Sequence, residues 1–236
     1  MIARLVAARR AIDLLVDVCR DGCAIGIGTG TTVGMFIDEI HRAGYIDVLR
    51  RSIIVVSSID TAFKLLAIGV NNFDCGLPRP SLDIYIDSAD EVDRRCYMIK
   101  GGGGALLREK VLAYLSKLRV YIVDHSKVSN LVGEKKPLPV EVEVFALPLI
   151  EKILRDMGLN YSIRTSRTRY GPTMTDNANI LIDVFTGPMS NPTLVENSII
   201  RVPGVVATGL FAPDLVDQII IGHDDGSTET LSPRKD

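Results

Sequence analysis

From Ile2 to Asp124 the chain alternates helical segments with short apolar runs rich in β-branched residues, and this alternation restricts the fold more than any single motif does. The pattern predicts helices over 2–20, 31–43, 61–68 and 105–118, interleaved with strands over 24–28, 52–56, 82–87 and 120–124. That order closes most simply into a mostly parallel sheet with helices on both faces. Such sheets bind ligands beyond the carboxyl ends of their strands. Three polar segments fall at such ends: Gly26–Thr32, Asp87–Asp93 and Asp124–Lys127.

The pattern changes after Pro137 and Pro139. A strand over 139–144, a helix over 147–157, strands over 160–165 and 179–184, a helix over 192–200 and a strand over 204–211 are predicted. Asn191 suits the N-cap of the second of these helices and Pro192 its first position. The order β-α-β-β-α-β is that of a ferredoxin-like α+β unit. After Pro213 a hairpin of 218–222 and 228–231 turns around Asp224-Asp225-Gly226 and is expected to return to the first sheet. The expected domains are therefore a Rossmann-like α/β domain of residues 1–133 and 213–236, and a ferredoxin-like domain of residues 134–212. Residues 232–236 are expected to be loose.

Four consecutive glycines, Gly101 to Gly104, open the predicted helix 105–118, whose apolar stripe is read as Leu106, Leu107, Val111, Tyr114, Leu115 and Leu118. Glycine costs regular structure roughly 0.5 to 1 kcal/mol against alanine, so a run of four points to close approach by a ligand. Unpaired amides and the positive end of the helix dipole meet there, Lys100 adds a charge, and Glu109 lies in reach from the side. Gly26-Ile27-Gly28-Thr29-Gly30-Thr31-Thr32 also joins a strand to a helix. It lacks the third glycine of a dinucleotide fingerprint and the lysine of a P-loop, which leaves a single-phosphate turn or an ordinary N-cap at Thr31 or Thr32. Asp87, Asp90, Glu91 and Asp93 crowd the end of an apolar strand. Such carboxylates need a cation, a proton or a hydroxyl-rich ligand, unless they form a solvated loop. Lys100 would be an awkward neighbour for a metal ion.

Charge and composition remove other classes. A formal net charge of −2 makes no case for nucleic acid or a membrane surface, no apolar run approaches the ~18 residues of a membrane span, and Met1–Arg10 has no signal-peptide pattern. A cytoplasmic protein is expected. Cys19, Cys23, Cys75 and Cys96 and the scattered His41, His125 and His223 form no zinc spacing, so buried or incidental thiols and no metal are expected.

Gly28-Thr29-Gly30-Thr31-Thr32, Asp87-Ser88-Ala89-Asp90-Glu91, Lys100-Gly101-Gly102-Gly103 with Arg108-Glu109-Lys110, Asp124-His125-Ser126-Lys127, Pro137-Leu138-Pro139-Val140-Glu141-Val142, Thr175-Asp176-Asn177-Ala178-Asn179 and Pro203-Gly204-Val205-Val206 stand in this order. The ordered set resembles type A ribose-5-phosphate isomerase over nearly the whole chain. The resemblance implies interconversion of D-ribose 5-phosphate and D-ribulose 5-phosphate through an enediolate, in the non-oxidative pentose phosphate pathway, with no cofactor and no metal. It implies Glu109 as the base, Lys100 with the Gly101 and Gly102 amides as an oxyanion hole, and Asp87 and Asp90 as catalytic groups that hold sugar hydroxyls and assist ring opening. Thr29, Gly30, Thr31 and Thr32 would bind phosphate, and Ser88, Ala89, Gly103 and Lys127 would line the substrate. A lysine usual in the first helix is replaced, with Arg9 or Arg10 in that neighbourhood. Ser88 and Ala178 stand where the family usually has glycine. The family forms dimers and tetramers, so a homo-oligomer is expected, with Arg164, Arg167 and Arg169 either facing solvent or pairing across subunits. Two other readings stay open: a related enzyme such as an amino-sugar-phosphate deaminase or CoA transferase, and a non-catalytic sugar-phosphate sensor.

Overall fold

The protein is described from a computed structural model covering residues 1–20, 22–76, 78, 80–166 and 170–233. It divides into two compact units, residues 1–89, 108–127 and 213–236 forming the first and residues 90–107 and 128–212 the second.

The first unit contains α1 (Ile2–Val18), β1 (Ala24–Ile27), α2 (Thr31–Arg42), α3 (Ile46–Arg51), β2 (Ile53–Val56), α4 (Ile59–Ala67), β3 (Phe73–Asp74) and β4 (Leu82–Asp87). The chain re-enters it within α5 (Leu106–Leu115), continues through β7 (Ser116–Asp124), and returns for β14 (Gln218–Gly222) and β15 (Thr228–Leu231). The sheet order is β15-β14-β7-β4-β1-β2-β3, with every pair parallel except β14 and β15. Continuous apolar runs such as Ile84-Tyr85-Ile86 and Val120-Tyr121-Ile122 are buried, as expected of strands covered on both faces. Alanines 7, 8 and 11 of α1 are also fully buried and share one core with Ile25, Ile84 and Ile220.

Three sequence expectations change here. The short α3 and β3 were not anticipated, since six and two residues carry no readable period. The helix predicted to run to 118 ends at Leu115, and Leu118 lies in β7. Its buried face is Leu106, Glu109, Leu112 and Ala113, whereas Val111 and Tyr114 of the predicted stripe are exposed. Gly26 of β1 is the reason: a side chain there would run into Tyr85 and Leu82 and touch Leu112, so the helix settles closely over this glycine with its 109–112 face inward. Cys19 and Cys23, expected as thiols, form a disulfide, because Cys19 at the end of α1 and Cys23 just ahead of β1 stand 5.2 Å apart between Cα atoms.

The second unit is built on an antiparallel sheet of β9 (Leu138–Val142), β10 (Asn160–Ile163), β11 (Ile180–Phe185) and β12 (Val205–Thr208), in the order β10-β11-β9-β12, with α6 (Leu147–Asp156) and α7 (Pro192–Ile200). This is the split βαβ order of a ferredoxin-like unit. Asn191 caps α7 by accepting the Leu194 N–H at 3.2 Å. The boundary expected at residues 133 and 134 falls elsewhere. Residues 90–107 group with the second unit because β5 (Glu91–Asp93) and β6 (Met98–Ile99) join β8 (Val128–Ser129) and β13 (Leu210–Phe211) in a small separate sheet, β13-β6-β5-β8. The strand predicted over 204–211 is split between β12 and β13 at Gly209, whose N–H donates to the Pro139 carbonyl and whose carbonyl accepts from Lys100 N–H. Arg167, Arg169 and residues 234–236 lie outside the described residues.

Candidate active site

In the first unit the strand order reverses between β1 and β4, the point where a parallel sheet opens a crevice. Gly28–Thr32 leaves β1 there and Asp87 ends β4. Gly30, not Thr31 or Thr32, is the N-cap of α2, and no side chain caps that helix, so its first amides remain for an anion. Thr31 is exposed and Thr32 buried. The Thr29 hydroxyl turns inward. It donates to Ser58 Oγ at 2.6 Å and lies 2.7 Å from Ser57 Oγ, while Thr61 Oγ1 donates to the Gly28 carbonyl at 2.6 Å and lies 3.1 Å from Ser58 Oγ. Each hydroxyl has one proton, so these bonds run in one direction: Ser57 to Thr29 to Ser58 to Thr61 to the Gly28 carbonyl.

Asp87 is fully buried. Its Oδ1 accepts the N–H groups of Thr29 at 3.2 Å and Ser88 at 2.7 Å, and its Oδ2 takes the Tyr85 hydroxyl in a very short bond. A side chain at Gly28 would stand 1.9 Å from the Asp87 carboxyl carbon, so this glycine is required by the carboxylate. Ser88 keeps an ordinary φ and needs no glycine, whereas Ala178 holds a φ of 62°. Ala89 is buried.

Glu109 sits in the first turn of α5, only 3% exposed. Its Oε2 is a buried oxygen that accepts no hydrogen bond, although the carboxylate has other interactions. Tyr85 and Tyr121, packed edge to face at 6.0 Å between ring centroids, record the negative charge around them. Burial pushes both phenols well above their ordinary range, and the charges of Asp87 and then Glu109 push further. Both therefore stay neutral, and Tyr85 stays a donor to Asp87.

Lys127 closes the turn His125–Lys127 beyond β7. Neither Arg9 nor Arg10 reaches this end of the sheet: Arg9 pairs with Glu39 at 2.7 Å and Arg10 with Asp13 at 3.9 Å. Arg4 does, donating to Asp124 Oδ2 at 2.8 Å. Burial raises the Asp124 pKa, but Ser126 and Arg4 outweigh it and hold the carboxyl below its ordinary value. Sequence reasoning missed Arg4, yet the topology contained the signal. A helix that enters β1 at its amino end has its own first turn at the carboxyl end of the sheet.

In the second unit Lys100 is 2% exposed, with Nζ 5.3 Å from the centre of the Phe211 ring. The Gly102 N–H, expected in an oxyanion hole, donates instead to Asp90 Oδ2 at 2.7 Å. Asp90 is half-buried, and a side chain at Gly102 would meet its Oδ1 at 2.6 Å. Gly103 is exposed beside it. Arg164, expected to face solvent or another subunit, donates to the Gly101 carbonyl at 2.7 Å and pairs with Asp183. Among the described residues no group of three or more His, Cys, Asp or Glu is arranged to hold a metal ion.

The sequence profile described as Ribose 5-phosphate isomerase A (phosphoriboisomerase A) matches residues 53–226. A relative from Aeropyrum pernix named ribose-5-phosphate isomerase A is 39% identical over 230 residues, 96% of this chain and 94% of its own. Among solved structures, ribose 5-phosphate isomerase A from Methanocaldococcus jannaschii superposes with a TM-score of 0.86 at 33% identity, covering 97% of each chain. A D-ribose-5-phosphate isomerase in complex with phospho-erythronic acid superposes with a TM-score of 0.87 at 28% identity, again over 97% of each chain.

Proposed function

The chain belongs to the ribose 5-phosphate isomerase A family and interconverts D-ribose 5-phosphate and D-ribulose 5-phosphate, and we propose that Glu109 carries the proton between C2 and C1 of the open sugar. The observation that carries this reading is the burial of Glu109 on the inward face of α5, in the same negative environment as Asp87 and two neutral phenols. A single carboxylate that removes a proton from one carbon and returns it to the next is general acid-base catalysis, typically worth ~10² to 10⁴-fold. Charge then grows on the carbonyl oxygen, and Lys100 with the amides of the glycine run is its electrostatic counterpart. Phospho-erythronic acid, bound by a structural relative, carries a carboxylate where the enediolate oxygens would be, as such a mechanism asks of a transition-state mimic.

The two aspartates divide the remaining work. Asp87, whose oxygens already accept three protein donors, shapes the turn at Gly28 and Thr29. Asp90, half-buried with one oxygen on Gly102, is the carboxylate that takes sugar hydroxyls and assists ring opening. The first turn of α2, from Gly30 to Thr32, holds the phosphate. Arg4 and Lys127, beyond β7, supply positive charge for it, and Ser88 and Ala89 line the path. No organic cofactor is required. The enzyme works in the pentose phosphate pathway of the cytoplasm; no described helix is long and apolar enough to cross a membrane.

The test is ketose formation from ribose 5-phosphate by the purified protein, before and after exhaustive chelation, beside Glu109→Gln. Turnover is expected to survive EDTA and to fall at least ~10³-fold in Glu109→Gln with little change in KM. Loss on chelation restored by Mg²⁺ would move the aspartates to metal binding, and near-normal turnover of Glu109→Gln would remove the base.

The second unit is read as the seat of homo-oligomer assembly. It exposes Phe145 at 93% and Leu194 at 63%, large apolar groups that catalysis does not use. Light scattering at micromolar concentration should give a multiple of the 25.8 kDa chain mass; a fully active monomer would leave these residues without a purpose.

A further inference from the structure

Arg164 lies outside every motif that identifies the family, yet it is tied to the backbone of the most informative one. Its Nη1 donates to the Gly101 carbonyl at 2.7 Å and to the Gly102 carbonyl at 3.3 Å. Its Nε donates to Asp183 Oδ2 at 3.0 Å, and its Nη2 pairs with Asp183 Oδ1 in a very short contact. The two side chains are 18% and 15% exposed, and Asp183 stands on β11 opposite Pro139 of β9. The guanidinium is therefore held as a fork on one side and presents a donor on the other.

This arrangement fixes peptide planes. In a trans peptide the carbonyl and the following N–H point in opposite directions. The Gly101–Gly102 peptide is gripped at both ends, its carbonyl by Arg164 and its N–H by Asp90 Oδ2 at 2.7 Å. The Gly102–Gly103 peptide also turns its carbonyl to Arg164, so its N–H, that of Gly103, points the other way. Glycine peptides rotate more freely than any others, and Gly101 itself holds a φ of +101°. The Gly104 N–H closes the run by donating to the Gly101 carbonyl at 3.0 Å, and the grip of Arg164 and Asp90 narrows the orientations that the peptides inside this turn would otherwise share. A preorganised oxyanion donor requires that narrowing.

We propose that Arg164, anchored by Asp183, is a positioning residue that sets the peptide planes of the glycine run and so aims the Gly103 N–H at the oxygen on which negative charge develops. This rests on the isomerase reading. It also moves the backbone donor of the oxyanion hole from Gly102, whose N–H is committed to Asp90, to Gly103.

The experiment compares Arg164→Met, Arg164→Lys and Asp183→Asn with the wild type and with Glu109→Gln, each checked for folding by circular dichroism. Arg164→Met should lower kcat about 10- to 100-fold while KM stays within about threefold, because the lost alignment matters in the transition state. Inhibition by phospho-erythronic acid should weaken by the same factor as kcat/KM, and inhibition by inorganic phosphate should not move. Arg164→Lys, which keeps the charge and one donor, should recover part of the loss. A purely structural role would lower melting temperature and active fraction but leave this split, and the rescue by lysine, absent. Unchanged kcat in Arg164→Met, or a loss confined to KM, overturns the proposal. If Arg164→Met does not fold, Asp183→Asn decides: it should lower kcat about fivefold or more, and an unchanged kcat overturns the proposal equally. An active Glu109→Gln would instead condemn the isomerase assignment of the base, whatever Arg164 does.

Discussion

Asp87 and Asp90 stand three residues apart and do the same thing in two settings. Each presses its carboxylate against a glycine and accepts an N–H of a glycine-rich turn: Asp87 at Gly28 and Thr29, Asp90 at Gly102. The difference is what surrounds them. Asp87 is fully buried, and a phenol and two backbone amides occupy its oxygens, while the turn it serves is braced by the neutral hydroxyls of Ser57 and Ser58, between β2 and α4, and of Thr61 in α4. Asp90 is half-buried, and the turn it serves is braced by a charged pair, Arg164 and Asp183. If the first turn receives the phosphate, bracing its other side with hydroxyls adds no further negative group to that of Asp87. A turn that meets charge only in the transition state needs tighter control of direction, and charge-assisted bonds provide it.

The largest expected effect breaks the comparison at its glycines. Gly28→Ala would place a Cβ 1.9 Å from the Asp87 carboxyl carbon, and three hydrogen bonds oppose any retreat. Overpacking of this kind costs about 1–3 kcal/mol and more where nothing can yield. Gly28→Ala should lose more than ~10²-fold in activity together with several degrees of melting temperature. Gly102→Ala meets only the end of a half-exposed Asp90 at 2.6 Å, which can swing into solvent. It should fold normally and lose about tenfold in kcat. Thermal melts beside steady-state kinetics decide the matter, and equal melting temperatures for the two variants would show that burial does not distinguish the two carboxylates.

The two settings were unequally legible in the sequence. Motifs carried Asp87, Asp90, Lys100 and Glu109, an apolar run carried β4, and cap and turn residues carried α7 and the β14–β15 hairpin, because each of these signals is local in the chain. The braces are not local. Arg164 lies 63 residues from Gly101 along the chain, and Thr61 lies 33 from Gly28. Neither arginine nor threonine announces a carbonyl partner at that separation. The same limit explains the shifted domain boundary, since two-residue strands such as β6 and β13 have no period to read and exist only through their pairing. It also explains the misread face of α5. Its apolar residues suggested one stripe, but Gly26 and Tyr85 on neighbouring strands selected the face that carries Glu109. Arg4 differs, since topology alone would have placed it.

A smaller effect sharpens the comparison on the neutral side. Thr61 is 1% exposed and ends the chain of hydroxyls by donating to the Gly28 carbonyl at 2.6 Å. Thr61→Val keeps the volume and removes that donor, leaving a buried carbonyl unsatisfied at a cost of about 1–3 kcal/mol. The chain then loses its direction: Ser58 no longer has a proton acceptor in Thr61, and the bonds linking Ser57, Thr29 and Ser58 can run either way. If the hydroxyls brace a phosphate turn, this loss falls on ground-state binding. KM for ribose 5-phosphate and the inhibition constant for inorganic phosphate should both rise about tenfold, with kcat within about twofold of wild type. Thr61→Ser, which restores the donor, should restore both constants. That signature is the reverse of the one expected at Arg164, where kcat falls and phosphate inhibition holds. A Thr61→Val enzyme that lost kcat while keeping its affinity for phosphate would mean that the two turns do not divide binding from catalysis, and the contrast between Asp87 and Asp90 would reduce to one of burial alone.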